Sequence, residues 1–373
     1  MPPPASAHKP GELDPHPLKS HLSSLDGMRA VSIRFVFIAH VSVACGHEIK
    51  FLDYLGQLGV STFFVISGML ITWLMIRERD ATGTFSLSNF YIRRFLRIIP
   101  VFWLLILTVT VLKMTHIVTI GWVDILRALT FTHNYPLSWQ RSVYYAWWLS
   151  HTWSLSLEEQ FYFVWPSLFF LLPRRVVPRL AAVLALSGPI LRLVNYYFLP
   201  MLRGAENGGF QTRIDILMAG CASAFLLESP VWRERIRKIP TLPVLAATTA
   251  FLLVVDPLLS TGFPEHSRPA AIINTIFPTL EGVAIAVTLL VVVAGKRGLA
   301  FQALNLRAPT HFGKLSYSLY IWQQLFLAPN SITSIFSLLW RLVAAYLTAF
   351  CSFNFFEQPF LNLRKRFRRG VTV

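Results

Sequence analysis

Apolar runs of about twenty residues recur along this chain, and they constrain its fold more than any other feature. A helix of about twenty apolar residues spans the hydrocarbon core of a membrane. Only 14% of the residues are charged, against about 25% in soluble domains. Candidate spans lie at 29–46, 55–76, 97–114, 153–173, 178–200, 211–228, 241–259, 270–295, 311–328 and 333–356. We therefore predict an all-α polytopic membrane protein with about ten transmembrane helices in one bundle. A weaker stretch, 121–135, is expected to be interfacial or re-entrant.

The positive charges predict the orientation of these spans. The net charge is +16, and the lysines and arginines lie between the apolar runs. An N-terminus in the cytoplasm places 23 of the 34 lysines and arginines on the inside and six on the outside. Cytoplasmic loops carry this excess of positive residues. We therefore predict an integral protein of the plasma membrane, the inner membrane of a bacterium, with both termini cytoplasmic. The scatter of charge argues against nucleic acid as a partner, whereas membrane lipids are expected partners.

The chain divides into three parts by composition. Residues 1–24 are proline-rich, polar and without periodicity, so we predict a disordered cytoplasmic tail. Residues 25–360 contain the apolar runs and form the predicted transmembrane domain. Residues 361–373 form a basic tail that is predicted to be cytoplasmic. The three cysteines show no spacing typical of metal ligands, and no metal site is predicted.

The first span carries two ionisable residues, and such residues inside a membrane are functional candidates. It reads LDGMRAVSIRFVFIAH, from Leu25 to His40. Eleven residues separate Arg29 from His40, about 16 Å along a helix. Arg29 is therefore expected at the cytoplasmic face and His40 near the midplane. Burial disfavours the charged imidazole, so a neutral His40 is free to accept a proton or to attack a carbonyl. The alternative is a histidine that only forms hydrogen bonds between helices.

A second polar group lies in the run HTWSLSLEEQFYFVWP. Ser154, Glu158 and Tyr162 are spaced four residues apart and share one helix face, whereas Glu159 points elsewhere. Since intramembrane carboxylates usually face a cavity, Glu158 is the candidate functional carboxylate. The alternative is a carboxylate that complements the helix dipole. His151, at the start of this run, is interpreted as an interfacial anchor, with the role of an alternative base left open.

Seven motifs resemble the acyltransferase 3 family of integral membrane acyltransferases, over nearly all of residues 25–360. The opening motif of the family is similar to LDGMRA, followed by His40. The other matching stretches are GVSTFFVISGMLIT (59–72), YIRRFLRIIPVFW (91–103), HTWSLSLEEQFYFVWP (151–166), RIDILMAG (213–220), KLSYSLYIWQQ (314–324) and FFEQP (355–359). Two departures are Ser61, where the family often has aspartate, and Gln323, where it often has histidine.

The resemblance implies a membrane-embedded acyltransferase. It would transfer an acyl group from acyl-CoA to a hydroxyl of a carbohydrate or glycolipid. The expected acyl group is acetyl. Lipopolysaccharide and other polysaccharides of the cell envelope are acceptors of this kind. Acyl-CoA is then the donor substrate, no cofactor stays bound, and proteins of envelope biosynthesis are expected partners.

The resemblance also implies residue roles. His40 is expected to act as general base on the acceptor hydroxyl, or to form an acyl-imidazole first. Glu158 is expected to orient the imidazole, so His40 and Glu158 are the predicted catalytic residues. The predicted ligands of the CoA phosphates are Arg29, Arg93, Arg94 and Arg97. The alternative for the last three is topology, because arginines also hold a loop inside and contact phospholipid.

Two other functions fit part of the pattern. A secondary transporter of a sugar or lipid also contains many spans with buried charges, but it typically has interrupted helices in two related halves. No such internal symmetry is visible in this sequence. An acyl-group translocator that feeds a partner transferase would share all seven motifs.

Overall fold

The computed structural model describes residues 22–135, 143–199, 208–263, 268–295 and 298–367. These residues form helices joined by short connections, with no strand among them. The first nine helices are α1 (Leu22–Ala44), α2 (Lys50–Thr82), α3 (Leu87–Met114), α4 (Trp122–Leu129), α5 (Val143–Ser150), α6 (Thr152–Leu171), α7 (Val177–Leu186), α8 (Gly188–Phe198) and α9 (Phe210–Glu228). The others are α10 (Pro230–Lys238), α11 (Thr241–Ala250), α12 (Asp256–Gly262), α13 (Arg268–Ala294), α14 (Leu299–Leu304), α15 (Arg307–Trp322), α16 (Ile335–Cys351) and α17 (Gln358–Arg364).

Short non-α segments extend some of these helices. π-helical segments Phe251–Val255 and Ser352–Glu357 follow α11 and α16, and 3₁₀ segments Gln323–Leu325 and Lys365–Phe367 follow α15 and α17. The tail predicted at 1–24 lies outside the described residues except for 22–24, which begin α1, whereas residues 361–367 of the tail predicted at 361–373 are described and helical.

The all-α membrane fold is confirmed, but about ten spans is a slight overcount. Among the described residues, seven helices are long and apolar enough to cross a membrane, or eight if the pair α7 and α8, bent by 59°, is one span. The predicted spans 153–173 and 311–328 coincide with α6 and α15, which do not qualify. The first half of α6 carries two glutamates and a glutamine, and α15 has only 16 residues. The stretch 121–135 contains the eight-residue α4, too short to span a bilayer.

The central helix of the bundle is α2, and 78% of its apolar window is buried. It packs most extensively against α9 and α1. A Cβ atom on Gly68 would lie 2.0 Å from the Leu217 carbonyl oxygen, and one on Gly220 would lie 2.1 Å from that of Val65. Only glycine allows so close a crossing, which is a common way to pack membrane helices.

The helix α1 is held between α2 and α15. A Cβ atom on Gly313 of α15 would lie 1.8 Å from the Asp26 carbonyl oxygen, so these two helices touch at the LDGMRA motif. Because α1 ends at Ala44, His40 lies in the last turns of the helix rather than near its middle. His40 therefore lies towards the other end of α1 from Arg29, and its depth in the membrane stays a prediction.

Candidate active site

The interior of the bundle contains a cavity of about 90 Å³ where α1, α2, α3, α6 and α15 meet. We call it the arginine cavity, because three arginines line it: Arg29, Arg94 and Arg97. The other polar lining residues are Ser67, Ser154, Glu158, Tyr162, Ser316, Tyr317 and Tyr320. The structure therefore brings together four of the six residues predicted for the site.

The arginines of this cavity differ in how they are paired. Arg29 forms an ion pair with Asp26 at 3.2 Å. Within the described part of the chain, neither Arg94 nor Arg97 makes a hydrogen bond or ion pair; Arg94 lies over the ring of Tyr162, 5.2 Å from its centroid. Two guanidinium groups therefore retain free donors towards the cavity. Guanidinium forks bind phosphate well, so an anionic ligand fits this cavity.

The polar stripe predicted on α6 is confirmed. Ser154, Glu158 and Tyr162 all line the arginine cavity, whereas Glu159 does not. The Ser67 hydroxyl on α2 donates a hydrogen bond of 2.8 Å to a Glu158 carboxylate oxygen. The carboxylate therefore faces the cavity and the arginines, as the helical spacing predicts.

Arg93 does not line this cavity, unlike the three arginines with which it is grouped in the sequence analysis. It forms an ion pair of 2.7 Å with Glu78, a carboxylate that is only 3% exposed. It also donates a hydrogen bond of 2.8 Å to the Phe367 carbonyl oxygen. Arg93 lies against Glu78 and not at the cavity because a buried carboxylate requires a cationic partner.

A second cavity, of about 220 Å³, lies at the end of α1 and the start of α2. We call it the histidine cavity, because His40 and His151 both line it. Its other polar lining residues are Asp53, Gln57, Ser150, Tyr320 and Gln324. The side chains of Asp53 and Gln57 are exposed on the surface of the protein, so the cavity reaches that surface.

The imidazole of His40 packs between aromatic and amide side chains. Its ring meets Trp147 edge to face, with 5.3 Å between the centroids. The side chain of Gln323 lies beside it, and the buried His40 Nδ1 has no hydrogen-bond partner. Glu158 lines the arginine cavity instead, so the expected contact of this carboxylate with the imidazole is not formed. The two groups line different cavities of the interior.

His151 is placed differently from its interpretation as an interfacial anchor. The residue is only 2% exposed, and its ring Nδ1 is hydrogen-bonded to Gln324 Oε1. Sequence reasoning missed Gln324, because 173 residues separate it from His151. The only signal for Gln324 was its place at the end of the KLSYSLYIWQQ motif.

The two cavities meet at Val60 and Tyr320, which line both. The Tyr320 hydroxyl donates a hydrogen bond of 2.8 Å to the His151 carbonyl oxygen and lies 2.6 Å from Ser154 Oγ. The interior therefore contains a row of sites, with arginines at one end and histidines at the other. Groups of three or more His, Cys, Asp or Glu side chains that would hold a metal ion are absent from the described residues.

This fold and interior define a polytopic helical membrane protein with a positively charged cavity that adjoins a histidine-lined one. The chain belongs to the acyltransferase 3 family: the family model Acyl_transf_3, described as an acyltransferase domain, matches residues 22–355. The chain is 30% identical over 325 residues to the O-acetyltransferase OatA of Staphylococcus aureus strain NCTC 8325 / PS 47. It has the same identity to OatA of strain MRSA252. Each match covers 81% of this chain and 50% of the relative, so the chain spans half the length of these relatives. No solved structure matches the chain significantly.

Proposed function

We propose that this protein transfers an acetyl group from acetyl-CoA to a hydroxyl of a carbohydrate or glycolipid in the cell envelope. The observation that carries the proposal is the row of two adjoining cavities, with unpaired guanidinium groups in one and, in the other, an imidazole whose Nδ1 has no hydrogen-bond partner. Membership of the acyltransferase 3 family and the name of the relatives, O-acetyltransferase, support the same reaction.

The donor would occupy both cavities. Arg29, Arg94 and Arg97 bind the phosphates of CoA through charge-assisted hydrogen bonds. The distance along α1 between Arg29 and His40 is about 16 Å, which an extended pantetheine arm bridges. The arm passes Tyr320, and the thioester then lies beside His40. Because CoA is made in the cytoplasm, this direction requires the arginine end of the bundle to be cytoplasmic.

In this proposal Glu158 acts on the arginines and not on the imidazole of His40. It faces the three arginines and is bound by Ser67. A carboxylate there offsets part of the positive charge while the cavity is empty and orients the guanidinium groups around the donor. The acceptor would approach from the other end, past Asp53 and Gln57, whose polar side chains suit hydroxyl groups.

The reaction would take place within the plasma membrane, with His40 as the reacting group. The neutral ring has a lone pair, whereas glutamine fills similar space but neither accepts a proton nor carries an acyl group as imidazole does. Partner proteins of envelope biosynthesis would supply the acceptor or consume the product.

The test is transfer of labelled acetyl from acetyl-CoA in membranes that contain equal amounts of wild-type protein or His40→Gln. We expect His40→Gln to insert normally and to lower transfer at least about 10²-fold, the low end for loss of a general base. A well-inserted His40→Gln protein that keeps more than a tenth of wild-type transfer would contradict the assignment. If the wild-type protein released no CoA thiol, the proposed reaction would be contradicted and a transporter would be favoured.

A further inference from the structure

His151 is a buried histidine in the histidine cavity that the reaction described above leaves without a role. It directly precedes α6 and lines the same cavity as His40. We propose, on the basis of the proposed function, that His151 oriented by Gln324 is the general base for the acceptor hydroxyl, whereas His40 carries the acyl group. His40 would then act in the first half of the transfer, and His151 would act as base in the second.

The protonation of the His151 ring follows from its hydrogen bonds. The main-chain N–H of His151 lies 3.4 Å from Gln324 Oε1, and a main-chain N–H only donates. Gln324 Nε2 also has an acceptor, Ser150 Oγ, at 3.0 Å. The amide oxygen of Gln324 therefore faces His151. Since that oxygen only accepts, the bonded ring Nδ1 carries the proton and Nε2 has the free lone pair.

The free nitrogen lies where a base is needed. Nε2 of His151 is buried and has no hydrogen-bond partner. The Ile321 carbonyl lies nearby but does not meet hydrogen-bond geometry with this atom. A buried polar atom without a partner is costly unless a ligand supplies one. An amide that orients a catalytic imidazole is also part of the Cys-His-Asn triad of papain-like proteases.

Neighbouring side chains hold the pair in place. The Tyr320 ring meets the His151 ring edge to face, with 5.4 Å between the centroids. Trp147 Nε1 donates a hydrogen bond of 3.1 Å to the Gln324 carbonyl oxygen. Because the same Trp147 ring packs against His40, one side chain couples the positions of both histidines.

The two half-reactions balance in protons and bonds. In the charging step a ring nitrogen of His40 attacks the thioester carbonyl carbon, the C–S bond breaks, and the leaving thiolate takes the imidazole proton. CoA thiol and a neutral acyl-imidazole result. In the discharge step the acceptor oxygen attacks the acyl carbon while His151 Nε2 takes the hydroxyl proton. The N–C bond to His40 then breaks, and the proton passes from His151 to the His40 nitrogen.

The experiment separates these steps with purified full-length protein and acetyl-CoA labelled in the acetyl group. Charging is measured after rapid quenching as label on the protein, and discharge as loss of that label to water or to methyl glycosides of glucose and N-acetylglucosamine. We expect His40→Gln to remain unlabelled. We expect His151→Gln to be labelled within about threefold of the wild type and to discharge at least about 10²-fold more slowly.

The matched control is His311→Gln, an exposed histidine on α15 that contacts the Tyr346 hydroxyl and lines neither cavity. It should charge and discharge as the wild type does. Discharge by His151→Gln within tenfold of the wild type, or loss of its label, would overturn the proposal, as would a wild type that transfers acetyl without becoming labelled. Failure of the wild type to release CoA thiol would instead contradict the proposed function.

A second measurement distinguishes a base from a structural histidine. The titratable groups that face His151 are His40, His133, Asp53 and Tyr320, and all remain in Gln324→Glu. A carboxylate at 324 favours the protonated ring, so the acid limb of the discharge rate should move to higher pH by about one unit or more. Gln324→Ala should slow discharge by up to about 10²-fold through misplacement. An unchanged acid limb in Gln324→Glu would overturn the role of His151 as base.

Discussion

Arg93 and Arg97 lie one helical turn apart on α3, yet their surroundings predict opposite consequences of mutation. Arg97 lines the arginine cavity without a hydrogen-bonded partner in the described structure, whereas Arg93 neutralises the buried Glu78. The residue type is the same in both cases. The difference arises from the Glu78 carboxylate, which α2 brings against Arg93 of α3. Within one basic motif, Arg97 therefore faces the cavity whereas Arg93 has a structural ion pair.

We expect Arg97→Gln to raise the KM for acetyl-CoA about tenfold or more while protein stability stays near that of the wild type. A hydrogen bond to a charged group contributes about 1.5–3 kcal/mol, and this variant loses contacts to the donor phosphates. Steady-state kinetics at varied acetyl-CoA, with acceptor in excess, check the prediction. An unchanged KM in a correctly inserted variant would leave this arginine with a topological role only.

Arg93→Gln is the matched control on the same helix. Breaking a buried ion pair by removal of one partner costs about 3–5 kcal/mol, because Glu78 is left as an uncompensated charge. We therefore expect a lower melting temperature of the detergent-solubilised protein and no change in the KM of the fraction that remains folded. The double variant Arg93→Gln with Glu78→Gln should recover part of the lost stability. No recovery would show that the pair contributes little to stability.

At the scale of elements, the close crossing of α2 and α9 positions both cavities. The two helices meet through Gly68 and Gly220, and α2 contributes Ser67 to one cavity and Gln57 to the other. A change in this crossing therefore shifts the lining of both cavities at once. The interrupted pair α7 and α8 lies against α9 on another side of the bundle.

Gly220→Ala should destabilise the protein and lower transfer, because its Cβ atom would collide with the Val65 carbonyl oxygen of α2. Overpacking of this kind costs about 1–3 kcal/mol. Gly262→Ala, at the end of α12, has open space around the added methyl group and is the control. Thermal unfolding of both purified variants measures the difference. Equal melting temperatures would mean that the crossing adjusts without cost.

At the scale of the whole molecule, the orientation of the bundle in the membrane, with both termini in the cytoplasm, stays a prediction. If α7 and α8 form one span, the eight qualifying spans together with the polar α6 and the short α15 make ten, and an even number permits both termini to lie in the cytoplasm. The arginine cavity then opens towards the cytoplasmic side and the histidine cavity towards the outside. This arrangement would let the donor and the acceptor enter from opposite faces.

Cysteine labelling in intact cells tests this orientation. In a chain whose native Cys45, Cys221 and Cys351 are replaced, we expect a cysteine at Arg235 in α10 to be protected from a membrane-impermeant thiol reagent. A cysteine at Asp53 should react, since this exposed residue lies at the predicted outer end of α2. Reaction at Arg235 without permeabilisation would contradict the orientation, and with it the cytoplasmic access of acetyl-CoA.

The sequence by itself determined the class of fold, because long apolar runs leave a helical bundle in a membrane as the stable solution. It also determined the face of α6 that carries Ser154, Glu158 and Tyr162, because helical periodicity is a local property. The number of spans was overestimated because α15 is short and α6 is polar in its first half, and a local apolar pattern does not show what a helix packs against.

Only the tertiary structure decided which of these side chains meet. The Arg93–Glu78 pair, the separation of Glu158 from His40 and the contact of His151 with Gln324 join residues on different helices. Such contacts depend on the crossing of α1, α2, α6 and α15, which close glycine contacts and side-chain packing set. Local sequence patterns hold no information on the distance between positions 151 and 324, because that distance exists only once the intervening helices have packed.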